Sequence, residues 1–494
     1  MRNGKRNLAA IALGGIFAAG FLPGIFAQSV EVYPGPGGDA YHSNLYRVAV
    51  EDQNRWLDSY TYNVSRKSVT SFKASGGGDP SVNFTTFGTN SAASVRVGKL
   101  RGRITSVQIS PKSKAIVATI RKGEAFIQVH PNDKLWIVIN DDVGNPLFVF
   151  ADPLKPAMPP GATYYGPGVH DIGLASKTVD GETIYLDGGA WVQGTFDLRD
   201  RSRVTIMGPG VLSGEKWPSE QIANVRSKED YCMVVGSGAL RSRDNRIEDI
   251  TIVEAPFYNI TRGPEYIGNV KLLSPWYWST DGFQVLPRGS GRLALIERCF
   301  AFVGDDVFFP RENFRGNIEV RDCFVSSTNN SIFQICYWGN PLEHDNRAYL
   351  HGIDVKNLLP RHNSAVFRAS IDNATGTGVK NMTFEDIRIE GDLVCPLLQI
   401  ENREYFWPAQ SSHPETKRGN TSNMVFRNIT ATVPEDRSKS VKSTLLGLDD
   451  KNGHHHYLFE NVQINGTVLT DVNCRDFLTM NQFTSDVHFT ASPP

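Results

Sequence analysis

Asn245-Arg246-Ile247-Glu248-Asp249-Ile250-Thr251-Ile252 is a short text that the chain repeats. It returns as Asn381-Met382-Thr383-Phe384-Glu385-Asp386-Ile387-Arg388-Ile389 and as Asn423-Met424-Val425-Phe426-Arg427-Asn428-Ile429-Thr430. Tyr457-Leu458-Phe459-Glu460-Asn461-Val462-Gln463-Ile464 echoes it again. The shared order is apolar, polar, Asp or Asn, apolar, polar, apolar. Apolar residues two apart face the same way on a strand. The Asp or Asn between two strand pieces bends the chain by bonding nearby backbone amides. One such unit cannot bury its apolar face alone, whereas a stack of them buries a continuous core. The pattern predicts a β-solenoid with coils of roughly 20–30 residues, on the order of a dozen between residues 180 and 480.

Upstream of the repeats the rhythm differs. Ser106-Val107-Gln108-Ile109, Leu135-Trp136-Ile137-Val138-Ile139 and Leu147-Phe148-Val149-Phe150 are short apolar runs separated by turn residues. That alternation predicts a β-sandwich. Pro153 to Pro167 is rich in proline and glycine and reads as a linker. The expected organisation is therefore all-β, with a sandwich over 28–160 and a parallel β-helix over 161–494.

The bulk numbers narrow the function. The 494 residues carry a net charge of −1, which leaves no basic stripe for a nucleic-acid backbone. Arg2, Lys5 and Arg6 precede an apolar run from Leu8 to Phe26, broken by Pro23 and Gly24. Residues 1–27 read as an export signal, with the mature chain secreted or periplasmic and without a membrane span. Nothing in the composition sets an oligomeric state.

Two acidic clusters stand out within the repeats: Thr280-Asp281-Gly282 and Gly304-Asp305-Asp306. Each follows an aromatic or apolar run, Trp276-Tyr277-Trp278 and Phe300-Ala301-Phe302-Val303. Residues at matching positions on neighbouring coils lie only about 4.8 Å apart. The reading pairs Asp281 with Asp305. Asp306 would face the opposite side of a straight strand, so a bend at Gly304 or Asp306 is expected to turn both toward one groove. Crowded carboxylates raise at least one pKa, which sets a protonated acid beside ionised partners. That is the equipment for hydrolysing a glycosidic bond. Asp281, Asp305 and Asp306 are the catalytic candidates, and a polysaccharide is the expected partner.

Gln334, one coil further, can bond sugar hydroxyls. Trp276, Trp278, Tyr337 and Trp338 can stack on sugar faces, or fill the spaces between coils. Arg311 and Glu312 can line the groove or pair with each other in a loop. No metal or cofactor is expected. The spacing of the six cysteines fits no zinc pattern, and Cys299 and Cys323 read equally as stacked thiols or as a bridge. His454-His455-His456 reads as a solvated loop. Asn63, Asn83, Asn259 and Asn465 head glycosylation acceptor patterns that also arise by chance in an Asn-rich chain.

The stretch from Trp276 to Gly282, then Val303-Gly304-Asp305-Asp306-Val307, then Ser331-Ile332-Phe333-Gln334-Ile335-Cys336-Tyr337-Trp338-Gly339, resembles glycoside hydrolase family 49, the dextranases and isopullulanases. More distantly it resembles the polygalacturonases. The resemblance implies a right-handed helix, an inverting mechanism, Asp305 as general acid, and Asp281 and Asp306 as holders of water. It implies an endo-acting enzyme on an α-glucan such as dextran. The segment Val307-Phe308-Phe309-Pro310-Arg311-Glu312-Asn313 lacks the lysine usual in that family after the Asp pair. His351-Gly352 lies too far along to match the polygalacturonase element, which argues against pectin. The alternatives are a hydrolase of another polysaccharide, a polysaccharide lyase on the same fold, and a non-catalytic binding protein.

Overall fold

The computed structural model of the protein describes residues 29–70, 72–73, 78–222, 225, 228–236, 242–285, 288–309, 315–336, 347–358, 365–370, 379–401, 420–436 and 442–491. The export-signal reading of 1–27 lies outside them.

Two sheets form first. One runs Val30–Val32, Ser81–Thr89, Leu147–Asp152, Asp133–Ile139, Val107–Ser110, with Thr61–Ser65 also on Ser81–Thr89. The other runs Arg55–Ser59, Tyr46–Asp52, Ala93–Lys99, Glu124–Val129, Thr119–Arg121. Val48, Val50, Val95, Val97, Ile127, Leu135, Ile137 and Val149 alternate inward along their strands and fill the space between the sheets. Strand Leu147–Asp152 ends this part, and strand Thr163–Tyr165 opens the long helical sheet.

From there the chain winds as a parallel β-helix. Among the described residues, strands pair in parallel with strands two or three places on, in a 24-stranded sheet, while a separate 5-stranded sheet carries a further face. The bend in each echo has a common cause. Asp249, Asn269, Arg298, Asp322, Gly352, Asp386, Asn428 and Asn461 stand at the same corner of successive coils, and each has positive φ. Asn and Asp tolerate this left-handed conformation better than most residues. Their side chains also bond one another up the corner: Asn269 to Asp249 at 2.9 Å, Asn428 to Asp386 at 3.0 Å and Asn461 to Asn428 at 2.9 Å. The coil length is less regular than the text predicts. It is 20 residues between Asp249 and Asn269 but 42 between Asp386 and Asn428.

The helix interior is an apolar column, with Phe283, Phe308, Phe333 and Phe367 stacked at 5.6, 5.7 and 4.8 Å. Cys299 and Cys323 are register mates inside it and are free thiols. The outer face of one sandwich sheet packs on the helix. Trp136 meets Phe302 at 4.5 Å, and Phe148 and Phe150 each meet Phe300 at 5.2 Å. Each of these buried rings contributes roughly 1.5–3 kcal/mol of transfer free energy. A buried ion pair, Lys271 Nζ to Asp152 at 2.7 Å, crosses the same contact. Among the described residues no helix is long and apolar enough to cross a membrane.

The three histidines are not a solvated loop. They begin the strand His454–Glu460, and His454 is fully buried. Its ring nitrogens meet the Thr421 hydroxyl at 2.6 Å and the Leu446 carbonyl at 3.0 Å. Burial holds its pKa down to about 4. His455 bonds Ser485 and His456 bonds Asp486; a positive φ at His456 breaks the strand alternation and leaves that ring exposed. Of the glycosylation candidates, Asn83 and Asn259 are buried and their amides are spent inside the fold.

Candidate active site

The Phe283–Phe308–Phe333 stack sets the register of the site. Phe283 bridges Phe308, and Phe308 bridges Phe333, both in parallel. The Gly282 amide donates to the Asp306 carbonyl at 2.8 Å, and the Val307 amide to the Ser331 carbonyl at 3.0 Å. Asp281, Asp306 and Ser331 therefore form one column, two residues before each Phe. Thr280, Asp305 and Asn330 form the column beside it. This corrects the expected pairing: the mate of Asp281 is Asp306, and Asp305 sits one step to the side.

The bend falls at Gly304 and Asp305. It brings one carboxylate oxygen from each of Asp281, Asp305 and Asp306 within 4.8 Å of one another. Two glycines make the corner possible. A Cβ on Gly304 would lie 2.0 Å from the Tyr277 carbonyl oxygen, and one on Gly282 would lie 2.6 Å from that of Val307. The Gly304 amide instead donates to Thr280 Oγ1 at 3.0 Å, and that hydroxyl donates to the Tyr277 carbonyl at 2.7 Å.

Each acid is held by named donors. Asp305 Oδ2 accepts the Ser279 amide at 2.8 Å, and Oδ1 accepts the Asp306 amide at 3.0 Å and Asn330 Nδ2 at 2.8 Å. Asp306 Oδ1 accepts the Ser331 amide at 3.0 Å and also the Ser331 hydroxyl. Asn259 holds the Asp281 turn from the preceding coil, its Nδ2 donating to the carbonyls of Asp281 at 2.9 Å and Thr280 at 3.2 Å. The sandwich steadies the same turn: Thr70 Oγ1 donates to the Pro275 carbonyl at 3.0 Å, and the Val69 amide to that of Trp276 at 2.8 Å.

The electrostatics follow from burial. Asp281 and Asp306 are buried, while Asp305 keeps part of its surface open. Desolvation pushes Asp306 up to about 7, and the charge of Asp305 adds to it; Ser331 and the Arg368 cation pull part of the way back. Desolvation also raises Asp305, against the pull of Asn330, the Ser279 and Asp306 amides and Arg368. The two acids titrate as a pair that gives up its second proton reluctantly.

The other candidates separate. Trp278 is 51% exposed, beside the Ser279 amide that holds Asp305. Trp276 is a correction: it is 3% exposed, within the core between sandwich and helix, and its indole N–H donates to the Pro80 carbonyl at 3.3 Å. Gln334 is a second correction. It is buried, its Oε1 3.0 Å from Ser331 Oγ, so it backs the Asp306 partner instead of offering an amide to a sugar. Tyr337, Trp338, Arg311 and Glu312 lie outside the described residues. Asn259, Asn330 and Ser331 were missed. The 25-residue spacing of Phe283, Phe308 and Phe333 would have found the last two, since Asn330-Ser331 then aligns with Asp305-Asp306.

No protein-family model matches the chain. A dextranase of Arthrobacter globiformis is 25% identical over 269 residues, 47% of this chain and 40% of that protein. The chain resembles the dextranases. A second dextranase, from Arthrobacter sp. (strain CB-8), is 24% identical over the same share of each chain. The match thus spans well under half the length of these dextranases. Dex49A from Penicillium minioluteum shares the fold, with a TM-score of 0.69 at 17% identity, over 94% of this chain and 96% of its own. The resemblance to dextranases is thereby met in sequence, and the fold is shared with Dex49A.

Proposed function

We propose that the protein is an exported, inverting, endo-acting glycoside hydrolase of a neutral α-glucan such as dextran. The observation that carries this reading is the convergence of three carboxylates within 4.8 Å beside an exposed tryptophan. The likeness to dextranases supports the substrate class. The basic and apolar start of the chain supports export.

Asp305 is the general acid. It is the member of the trio with open surface, so it can reach a bound glycosidic oxygen. Asp281 and Asp306 hold the water between them. As the C–O bond breaks, Asp305 gives its proton to the leaving oxygen. The water oxygen bonds to the anomeric carbon from the other face, and its proton passes to the Asp281–Asp306 pair. One water is consumed and two hydroxyl ends are produced. A two-carboxylate inverting site spaces its groups by about 6.5–9.5 Å to make room for water. In this reading two of the acids grip the water and the third donates the proton. Trp278 offers a ring face for stacking a sugar.

Digestion of dextran, pullulan and pectin, followed by proton NMR of the first products, tests the proposal. Dextran should be cut internally, and the new reducing end should appear first as the β-anomer. First appearance of the α-anomer would overturn inversion. Unsaturated products absorbing in the ultraviolet would replace the hydrolase by a lyase.

A further inference from the structure

The geometry points to Arg368 as a positioning residue for the proposed acid, acting through Asn330 to fix which oxygen of Asp305 carries the proton given to the leaving group. This deepens the reading above and rests on it.

Arg368 lies in strand Phe367–Ser370, is the register mate of Gln334, and is buried. Its guanidinium can only donate hydrogen bonds. Nη1 donates to Asn330 Oδ1. A carboxamide has one accepting end and one donating end, so turning the oxygen to Arg368 turns the nitrogen to Asp305. Asn330 Nδ2 then donates to Asp305 Oδ1 at 2.8 Å. The Asp306 amide donates to the same oxygen at 3.0 Å. Oδ1 is thus met by two donors, and a proton placed there would face both. Oδ2 is met by the Ser279 amide at 2.8 Å and is the oxygen left to bear the proton.

The alternative carboxamide orientation shows what Arg368 prevents. With its oxygen toward Asp305, Asn330 would repel the carboxylate and accept a proton from Oδ1. The proton would then be stored on the oxygen turned away from its task. Arg368 also supplies a cation that draws both Asp305 and Asp306 toward their charged forms. It thereby opposes the capture of a second proton by the pair.

Arg368→Met, Arg368→Lys, Asn330→Ala and the double variant Arg368→Met/Asn330→Ala test the relay in the full chain. In Arg368→Met, kcat should fall on the order of tenfold or more, with KM changed by less than about threefold. The basic limb of the pH profile should move upward by about one to three units, because a cation beside the acids is lost. Arg368→Lys keeps the charge and should leave that limb nearer the parent. The double variant should be no slower than the worse single one. Additive losses, or a loss of activity with the basic limb unmoved, would overturn the relay. If Arg368→Met does not fold, Asn330→Ala and Arg368→Lys carry the same pH comparison. Titration of the Asp carboxyl carbons by NMR needs no substrate. Should the parent cleave no polysaccharide, an upward shift in Asn330→Ala still supports the relay, and an unmoved titration ends it.

Discussion

Asp306 lies one coil beyond Asp281 at the same position of the winding, and two residues later the ring of Phe308 stacks on that of Phe283 at 5.6 Å. The apolar stack inside the helix therefore sets the spacing of the acids on its rim. The chemistry depends on the core in a direct way: a slip of one residue in the Phe column would turn one of the two carboxylates to the other face.

The pH dependence of stability follows from Asp306. Its folded pKa of about 7 lies above the 3.8 of an unconstrained Asp, so the folded chain binds the extra proton between those values. Stability should fall as pH rises from about 4 to about 7, with a slope of at most about 1.4 kcal/mol per pH unit from this group. Asp306→Asn should flatten that slope in denaturant melts taken across the range. An unchanged slope would mean that Asp306 ionises freely in the fold.

Gly304→Ala tests the bend. The added methyl would meet the Tyr277 carbonyl oxygen at 2.0 Å, and neither backbone segment can yield without shifting Asp305. A destabilisation of about 1–3 kcal/mol is expected from overpacking, together with a loss of turnover. A melt and a rate both at the parental value would show that the corner has room to spare.

Trp276 and Trp278 should respond in opposite ways. Trp276→Ala empties a site in the core between sandwich and helix and should cost about 3–5 kcal/mol. Trp278→Ala removes an exposed ring and should leave the melt almost unchanged while raising KM for the polymer. A thermal melt and a substrate titration of each variant separate the two roles.

The parts of the fold legible in the sequence are those where physics demands a residue type. The corner at Asp249, Asp386, Asn428 and Asn461 needs positive φ, and Asp or Asn announces it. The same corner at Arg298 and Gly352 is silent, because only the backbone angle is shared and the residue types are not. The acidic trio was legible, but its pairing was read by aligning acid with acid. The Phe column sets the register, and it makes Asp305 the neighbour of Thr280 and Asn330. The face of Trp276 was not legible, since nothing local says which side of the turn meets the sandwich. His454 hid for a similar reason: three polar residues in a row suggest a loop, yet the first of them is buried between the Thr421 hydroxyl and the Leu446 carbonyl.

Release of reducing ends from dextran by the parent and by Asp305→Asn, each shown by circular dichroism to be folded, is the most direct test. The Asn side chain keeps the size of Asp305 but cannot give up a proton. The parent should cleave dextran, and the variant should be slower by a factor of about 100 to 10,000. Release at the parental rate by the folded variant would contradict the account, because a site that works without the proton of Asp305 is not the site described.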